Sequence, residues 1–245
     1  MSEGLPDPAG AGSLIVVPTF NEAENLPTLT ERLLALPFEP DLLVVDDNSP
    51  DGTGEIAEDI RKGSAGRVRV LRRGGKLGLG SAYLEGFRLG LDAGYGTILQ
   101  MDADFSHDPA DVPRLIDALD RADLALGSRY APGGGTRNWG AVRKLVSRGG
   151  SFYARILLGL PVQDVTGGFK AWRRELLLAL DLDRVGSTGY CFQAEMTWRA
   201  FRTGARIVEV PILFTDRRVG SSKMSGGIVL EAVWRVPLLA LGLAT

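Results

Sequence analysis

The sequence predicts an α/β fold in which a mostly parallel central sheet is covered by helices on both faces. Three observations predict it: short apolar runs alternate with helical patterns, the connections between them are short, and clusters of polar and glycine residues follow the apolar runs. The chain has 245 residues, of which 44% are hydrophobic and 24% charged. This composition suits one large domain with a sizeable core.

The individual elements follow from the spacing of apolar residues and from helix start and stop signals. Strands are expected at 13–17, 42–45, 68–71, 97–101 and 123–126. A first helix is expected after Asn21, which could cap it, and a second helix is expected to run through residue 60. Two more helices are expected at 81–93 and 109–119. Beyond residue 127 we expect a mobile glycine-rich loop at 133–135, helices at 139–158, 193–202 and 228–241, and a strand at 207–214 interrupted by Pro211. The expected organisation is a disordered leader at 1–12, a main domain at 13–227 and a C-terminal helical segment at 228–245.

Charge divides the chain into two unlike halves. The formal net charge of residues 1–128 is −11, and that of residues 129–245 is +9. An acidic half suits bound cations, and a basic half suits phosphates or an acidic membrane surface, although charge scattered without a ligand is the alternative. The basic residues form no tract and are not interleaved with aromatic residues, so we expect no nucleic acid as a partner.

Cysteine content and hydropathy bear on the compartment. Cys191 is the single cysteine, so no intramolecular disulfide is possible, and we expect a small buried side chain in a reducing compartment. No apolar run reaches the ~18–20 residues that a membrane-spanning helix needs. Residues 1–12 lack the basic-then-apolar order of a signal peptide. We therefore expect a cytoplasmic protein.

The pair Asp102 and Asp104 directly follows the strand expected at 97–101. Ligands of such sheets bind outside the carboxyl ends of the strands, where the other polar clusters, at 18–22, 46–53 and 74–80, are also expected. Two neighbouring carboxylates repel one another unless a cation lies between them, and Mg²⁺ or Mn²⁺ often takes only one or two protein carboxylates beside diphosphate oxygens. We predict Asp102 and Asp104 as metal ligands; solvated loop carboxylates are the alternative.

Other strand ends offer groups for the rest of a nucleotide. Asp47 follows the second strand and could accept hydrogen bonds from a base or a ribose. For Asp51, the sequence fits either that role or capping of the next helix. Pro18 and Glu22 follow the first strand and could flank the nucleotide, although stabilising a helix start also explains Glu22.

Lys76 lies in the glycine-rich segment 74–80, where its ammonium could meet a phosphate. The segment is not a P-loop, because no Ser or Thr follows the lysine, and its glycines do not follow the first strand as a dinucleotide fingerprint requires. The single histidine, His107, is expected to order the loop after the carboxylate pair. Without a Gly-x-Ser-x-Gly elbow or a second histidine, a hydrolase triad and a zinc site are disfavoured.

Taken together, these segments resemble the polyprenyl-phosphate mannose synthases, the dolichol-phosphate mannosyltransferase-like members of glycosyltransferase family 2. The resemblance covers about residues 13–235 and rests on an ordered set of motifs: VPTFNE at 17–22, DDNSPDGT at 46–53, KLGLG at 76–80, MDAD at 101–104, GSRY at 127–130 and DRRVGSSK at 216–223. Single motifs are shared across the wider family, whereas the ordered set is more specific. The resemblance implies a GT-A nucleotide-sugar-binding fold.

The resemblance also implies roles for individual residues. The residues that would surround GDP are Pro18, Phe20, Glu22, Asp47 and Lys76. Asp102 and Asp104 would hold the metal and the diphosphate. Ser106 stands where some relatives have Gln, and it is a poorer third metal ligand that leaves room for water.

The acceptor phosphate is implied to bind in the basic half of the chain. Arg129, Arg143 and Ser147 match the positions of the family that contact this phosphate, although a solvated helix face also explains Arg143. Arg217 and Lys223 match positions on a loop that closes over both phosphates. The residues implied to carry catalysis are Asp104, Arg129, Arg217 and Lys223.

The implied reaction is inverting transfer of mannose from GDP-mannose to a polyprenyl phosphate. This acceptor is ionised at neutral pH, so its oxygen attacks without a general base, and a metal with Arg and Lys side chains can stabilise the leaving nucleotide. Two alternatives stay open. One is a polyprenyl-phosphate glucosyltransferase that uses UDP-glucose, and the other is a noncatalytic nucleotide-sugar-binding subunit of a membrane complex.

A lipid acceptor implies peripheral contact with the cytoplasmic face of the membrane. Family relatives often carry additional transmembrane helices, so a membrane-anchoring partner protein is also compatible with the resemblance. The segment 228–241 contains Glu231 and Arg235 and is too short and too broken by charge to span a bilayer. We expect it to lie at the membrane interface or to pack on the core as an ordinary helix.

Overall fold

The structure, a computed structural model, describes residues 12–187, 189–216 and 234–241. In these residues the strands are β1 (Ser13–Thr19), β2 (Asp41–Asp46), β3 (Val68–Arg72), β4 (Thr97–Gln100), β5 (Leu124–Ser128), β6 (Gly135–Arg137), β7 (Lys170–Arg173), β8 (Ile207–Pro211) and β9 (Leu213–Thr215). The α-helices are α1 (Leu26–Leu34), α2 (Thr53–Gly63), α3 (Leu79–Asp92), α4 (Val112–Ala118), α5 (Ala141–Leu158), α6 (Arg174–Ala179) and α7 (Gly189–Arg202). Short 3-10 helices lie at Pro109–Asp111 and Leu182–Arg184, and residues 234–240 are also helical.

The central sheet has seven strands in the order β3-β2-β1-β4-β7-β5-β8. β7 runs antiparallel to both of its neighbours, β4 and β5, and the other pairings in this sheet are parallel. β6 and β9 form a separate parallel pair. The predicted mostly parallel sheet flanked by helices is confirmed, and β7 is the central element that the sequence did not reveal.

The central sheet buries both of its faces because successive side chains of a strand point to opposite sides. In β1, Leu14 and Val16 pack into one apolar cluster, and Ile15 and Val17 pack into the other. On the first side α3 approaches so closely that a Cβ added at Gly86 would lie 2.5 Å from Val16 Cγ1. This close approach explains a glycine inside a helix, where it costs about 1 kcal/mol of helix propensity.

Three expected boundaries differ from the structure. α1 begins at Leu26, so Asn21 does not cap it; with φ of 61°, Asn21 lies in a left-handed turn instead. Pro27 explains the later start, because proline is well tolerated only in the first turn of a helix. The expected glycine-rich loop at 133–135 leads into β6, and the strand expected at 207–214 divides into β8 and β9 on either side of Ile212.

The C-terminal segment is described from residue 234 onward. Val236 and Leu239 are buried in the first apolar cluster, whereas Trp234 and Leu241 are exposed. Packing on the core therefore accounts for one side of this segment, and residues 228–233 lie outside the described residues. Among the helices in the described part of the chain, none is long and apolar enough to cross a membrane.

Candidate active site

One cleft lies at the carboxyl ends of β1, β2 and β4, next to the beginning of α3. The residues of the predicted donor and metal sites that line it are Pro18, Phe20, Glu22, Asp47, Lys76, Asp102 and Asp104. It is also lined by residues that the sequence had not singled out, foremost Thr166, Gly168 and Gln193. The expected convergence of strand-end clusters is present, while the role of each residue as a ligand contact remains a prediction.

Asp102 and Asp104 both accept hydrogen bonds from the surrounding protein. The buried Tyr83 hydroxyl donates to Asp102 Oδ1 at 3.0 Å, and the backbone N–H of Ser106 donates to Asp104 Oδ1 at 3.0 Å. Burial, together with the charge of Asp102, raises the pKa of Tyr83 well above its usual value, so its hydroxyl keeps the proton that it donates. An ionised carboxylate has further lone pairs for a cation or for a hydroxyl.

The two carboxylates fit a divalent metal that is shared with a bound diphosphate. Mg²⁺ keeps several waters or phosphate oxygens in its shell, so two protein carboxylates suffice. Over residues 12–187, 189–216 and 234–241, no group of three or more His, Cys, Asp or Glu side chains could hold a metal ion by itself. Ser106, the predicted third ligand, is only 1% exposed and does not line the cleft. The protein ligands in this arrangement would be Asp102 and Asp104.

Asp47 is held in the wall of the cleft by a buried arginine that the sequence analysis missed. Arg73 Nη1 lies 2.9 Å from Asp47 Oδ1, and the backbone N–H of Gly78 donates to Asp47 Oδ2 at 3.2 Å. Arg73 also donates to Ser81 Oγ at 2.6 Å, so it links the end of β2 to the first turn of α3. In the sequence, its position just before the glycine-rich segment is the feature that could have indicated this role of Arg73.

Lys76 and Phe20 face one another within the cleft lining. Lys76 Nζ lies 4.1 Å from the centroid of the Phe20 ring, a cation–π distance. The contact joins the glycine-rich segment before α3 to the loop after β1. Both side chains are therefore placed where the sequence predicted nucleotide contacts.

Asp51 lies beside the cleft as a cap rather than in its lining. Asp51 Oδ1 accepts from the backbone N–H and the hydroxyl of Thr53, at 3.1 and 2.6 Å, and Asp51 Oδ2 accepts from the N–H of Ala23 at 3.1 Å. Burial opposes ionisation of this carboxyl, but the hydrogen bonds outweigh it and lower the pKa of Asp51. Of the two roles left open by the sequence, this geometry favours capping.

Arg129 forms a buried ion pair with Asp164. Its Nε donates to Asp164 Oδ2 at 2.7 Å and its Nη2 to Asp164 Oδ1 at 2.6 Å, with side-chain exposures of 6% and 0%. The guanidinium also lies 5.2–5.6 Å from the ring centroids of Tyr130, Trp139 and Phe214. An acceptor phosphate at Arg129 would therefore have to share this cation with Asp164.

The other predicted acceptor residues meet the same aromatic side chains. Arg143 Cζ lies 4.3 Å from the Trp139 ring centroid, and Arg143 Nη1 lies 2.6 Å from Asp216 Oδ1. Ser147 Oγ accepts a hydrogen bond from the Tyr130 hydroxyl at 2.7 Å. We refer to Arg129, Tyr130, Trp139, Arg143 and Phe214 as the aromatic–arginine cluster. The packing of Arg143 on Trp139 speaks against a purely solvated helix face for this residue.

The two remaining predicted residues, Arg217 and Lys223, lie outside the described residues. Their closure over the phosphates therefore stays a prediction. His107, next to the carboxylate pair, stacks on Phe169 at 4.9 Å between centroids and meets the edge of Phe214 at 5.3 Å. Burial lowers the pKa of His107 and so favours the neutral ring. This packing agrees with the expectation that His107 orders its loop.

Thr166, Gly168 and Gln193 enter the cleft from segments that the sequence analysis had left without a functional role. The first two precede β7, and the third lies on α7. Thr166 Oγ1 accepts a hydrogen bond from Arg129 Nη2 at 2.9 Å, which connects the cleft to the aromatic–arginine cluster. These segments reach the cleft because β7 inserts between β4 and β5, which the sequence did not predict. In the sequence, the glycine pair at 167–168 is the only feature that could have indicated their role.

The sheet order and the strand-end cleft define the fold class of the protein, the GT-A fold. Solved structures of glucosyl-3-phosphoglycerate synthase from Mycobacterium tuberculosis share this fold. A complex with Mn²⁺, UDP and glucosyl-3-phosphoglycerate has a TM-score of 0.66 at 22% identity, covering 96% of this chain and 81% of that one. A complex with Mg²⁺ and UDP has a TM-score of 0.63 at 23% identity, covering 95% and 79%.

The sequence comparisons narrow the class to a family. The family model described as glycosyl transferase family 2 matches residues 14–180, and the chain belongs to that family. Undecaprenyl-phosphate mannosyltransferase from Micrococcus luteus is 53% identical and covers 91% of each chain. Polyprenol monophosphomannose synthase from Mycolicibacterium smegmatis is 49% identical, covering 91% of this chain and 85% of the relative.

Proposed function

We propose that the protein transfers mannose from GDP-mannose to a polyprenyl phosphate with inversion, giving a β-mannosyl phosphate lipid. The names of the two relatives, at about half identity over nearly the whole chain, support the acceptor class and the sugar. The observation that carries the proposal is the hydrogen bond from Arg129 to Thr166, because Thr166 lines the cleft. A cleft suited to a metal-bound diphosphate thus adjoins a cluster of cations suited to a second phosphate.

On the donor side, the side chains of the cleft would bind the nucleotide and orient its diphosphate. Asp47, Lys76 and Phe20 line the cleft and would contact the nucleotide, as the resemblance to the family implies. A Mg²⁺ or Mn²⁺ ion held by Asp102 and Asp104 would supply charge stabilisation to the departing diphosphate. The metal complexes of the solved neighbours, which share only the fold, are consistent with this use of a divalent ion.

On the acceptor side, the chemistry requires no general base. A phosphate monoester is already ionised at neutral pH, so the protein has only to place its oxygen behind the anomeric carbon and offset the repulsion between two anions. Arg129 and Arg143 lie in one cluster that can do this. The buried and neutral His107 is then not needed as a base, and direct displacement inverts the anomeric configuration.

The surface of α5 supports delivery of the acceptor from a membrane. Its exposed apolar side chains recur at helical spacing on one face and are, with their exposed fractions, Val142 (77%), Leu145 (74%), Phe152 (60%) and Ile156 (60%). Lys144, Arg148 and Arg155 are exposed beside that face. An apolar face flanked by cations is typical of a helix that lies in the interface of an anionic bilayer.

The same helix carries Arg143 and Ser147 on the side that faces the aromatic–arginine cluster. A membrane-bound α5 would hold the aromatic–arginine cluster close to the interface, where a lipid phosphate could reach these side chains while the prenyl chain stays in the bilayer. We propose peripheral contact with the cytoplasmic face of the membrane through α5, with or without an anchoring partner protein. The C-terminal segment from residue 228 stays a second candidate for this contact.

A direct assay tests the proposed reaction. Purified protein with Mg²⁺ or Mn²⁺ is given a short polyprenyl phosphate and either labelled GDP-mannose or labelled UDP-glucose, and the lipid product is followed. We expect a β-mannosyl phosphate lipid from GDP-mannose only. A glucosyl product from UDP-glucose would favour the glucosyltransferase alternative, and absence of product from either donor would favour a noncatalytic subunit.

A further inference from the structure

The side chain of Gln193 is buried at the wall of the cleft with an amide group aimed inward. Gln193 is 2% exposed, and its Nε2 has no hydrogen-bond partner among the described residues. A buried amide N–H without an acceptor costs about 1–3 kcal/mol, so such groups normally meet a partner. Because Gln193 lines the cleft, the missing acceptor is expected to come from a bound ligand.

A chain of hydrogen bonds fixes which end of the Gln193 amide faces the cleft. Trp172 Nε1 donates to Gln100 Oε1 at 3.0 Å, and an indole N–H can only donate. The Nε2 of Gln100 therefore points the other way and donates to Gln193 Oε1 at 2.8 Å and to the Gly168 carbonyl at 3.0 Å. Gln193 is thereby left with its NH₂ group toward the cleft, as a donor that is set before any ligand binds.

The position of this donor defines the chemistry of the group that it would bind. A Cβ added at Gly168 would lie 3.4 Å from Gln193 Nε2 and 3.6 Å from Asp102 Oδ2, so a fixed donor and a carboxylate acceptor border the same point. A ligand atom above Gly168 would meet both. A hydroxyl group can accept from the amide and donate to the carboxylate at once, whereas an ionised phosphate oxygen has no proton to donate to Asp102.

We propose that Gln193 is a specificity-determining residue that recognises one hydroxyl of the transferred sugar, shared with Asp102, above Gly168. This inference rests on the proposed function in taking a nucleotide sugar as the ligand. It goes beyond that function by separating recognition of the sugar from binding of the nucleotide. The hydrogen-bond chain through Trp172 and Gln100 makes Gln193 a rigid donor, and a sugar that lacks a hydroxyl at this point would leave the donor buried and unpaired.

The test compares affinity for the sugar nucleotide with affinity for the bare nucleotide, without any lipid. Dissociation constants of GDP-mannose and of GDP are measured by calorimetry with Mg²⁺ for the wild type, Gln193→Met and Gln193→Glu. We expect Gln193→Met to weaken GDP-mannose about tenfold and to change GDP less than twofold, which is the effect of losing one hydrogen bond. Gln163→Met, the same change at an exposed glutamine, should alter neither.

Gln193→Glu keeps an oxygen to accept from Gln100, so the chain of hydrogen bonds behind it is retained. It replaces the inward donor with a carboxylate oxygen beside Asp102, so we expect it to weaken GDP-mannose at least as much as Gln193→Met does. A set of GDP-mannose analogues that each lack one hydroxyl then locates the contact. We expect one analogue to bind the wild type about tenfold more weakly than GDP-mannose, and that difference to shrink in Gln193→Met, where only the contact of the hydroxyl with Asp102 remains.

Two outcomes would overturn the inference. Unchanged affinity for GDP-mannose in both variants would remove the contact, and an equal loss for GDP would assign Gln193 to the nucleotide instead. Failure of the proposed function is recognised separately. If the wild type binds GDP-mannose no better than it binds UDP-glucose, the donor assignment fails, and the same comparison of UDP-glucose with UDP decides the role of Gln193.

Discussion

The cleft and the aromatic–arginine cluster hold their charged groups in different ways. In the cleft, the neutral Tyr83 hydroxyl donates to Asp102, and the Ser106 N–H donates to Asp104. In the cluster, Arg129 is paired with Asp164 and Arg143 with Asp216. A neutral donor orients Asp102 without cancelling its charge, whereas the cluster holds its cations with carboxylates that an incoming phosphate must share or replace.

This difference bears on how one protein can accommodate two anionic substrates. The charge of Asp102 stays available to a metal that a diphosphate shares. The cations of the cluster are neutralised while no acceptor is present, which lowers the cost of burying Arg129.

Replacing Asp104 with Asn or Ala should abolish transfer. The change removes a negative charge from the cleft, and we expect kcat/KM to fall by about 10³-fold, since charge stabilisation of this kind is worth several kcal/mol. Steady-state transfer to a short polyprenyl phosphate measures the effect, and circular dichroism checks that the variant is folded. Asp108→Asn, at the exposed start of the next helical turn, is the matched control. Wild-type turnover by Asp104→Ala would rule out the metal assignment.

Breaking the buried pair in the aromatic–arginine cluster should mainly affect stability. Asp164→Asn leaves the Arg129 guanidinium buried without its counter-charge, and we expect the free energy of unfolding to fall by about 3–5 kcal/mol. Denaturant unfolding measures this loss. The double variant Arg129→Met with Asp164→Leu should recover most of it, because apolar side chains of similar size replace the pair. A loss below about 1 kcal/mol in Asp164→Asn would mean that Arg129 does not depend on Asp164.

Removing apolar side chains from α5 should weaken membrane association. The double variant Leu145→Ser with Phe152→Ser lowers the apolar area that α5 can insert, and we expect partitioning onto anionic phospholipid vesicles to fall about tenfold or more. Vesicle sedimentation without polyprenyl phosphate measures it. The control is Leu178→Ser on α6, which is 58% exposed and removes a comparable apolar side chain. Equal binding by the double variant and the control would exclude α5 as the contact.

Lys170, on the strand that separates the two regions, should make stability depend on pH. Burial lowers the pKa of Lys170 to about 7, against the opposing charge of Asp164. Between this pKa and about 10.4 the unfolded chain binds more protons than the folded one, so stability from this group rises with pH, by at most about 1.4 kcal/mol per unit. Unfolding of the wild type and Lys170→Met at pH 6.5, 8 and 9.5 should show the wild type gaining relative to the variant. A pH-independent difference would contradict the neutral buried amine.

The local features of the site were predictable because they depend on neighbours in sequence. Asp102, Asp104, Asp47 and Lys76 each follow or adjoin an apolar run, and a parallel sheet brings such positions to one edge. Asp51 shows the limit of this logic, since a carboxylate in a turn serves equally well as a cap or as a ligand until its partners are known.

Features that depend on distant pairing were not predictable in the same way. The segment 170–173 is short and carries two cations, so its pattern does not indicate a central strand. Its antiparallel insertion between β4 and β5 places Gly168 at the cleft, near Gln193 on α7. The contact between Gln100 and Gln193 joins residues 93 positions apart, a separation that no local spacing can reveal.

The fold class, the acidic edge of the sheet and the family follow from the amino-acid sequence alone, because alternating apolar segments and strand-end motifs are local and ordered. The three-dimensional structure was needed to show that Asp51 is held as a cap, that Arg129 is paired with Asp164 and that the amide of Gln193 points into the cleft. Partners of this kind are chosen by packing in three dimensions, where burial makes each polar group depend on what lies opposite to it.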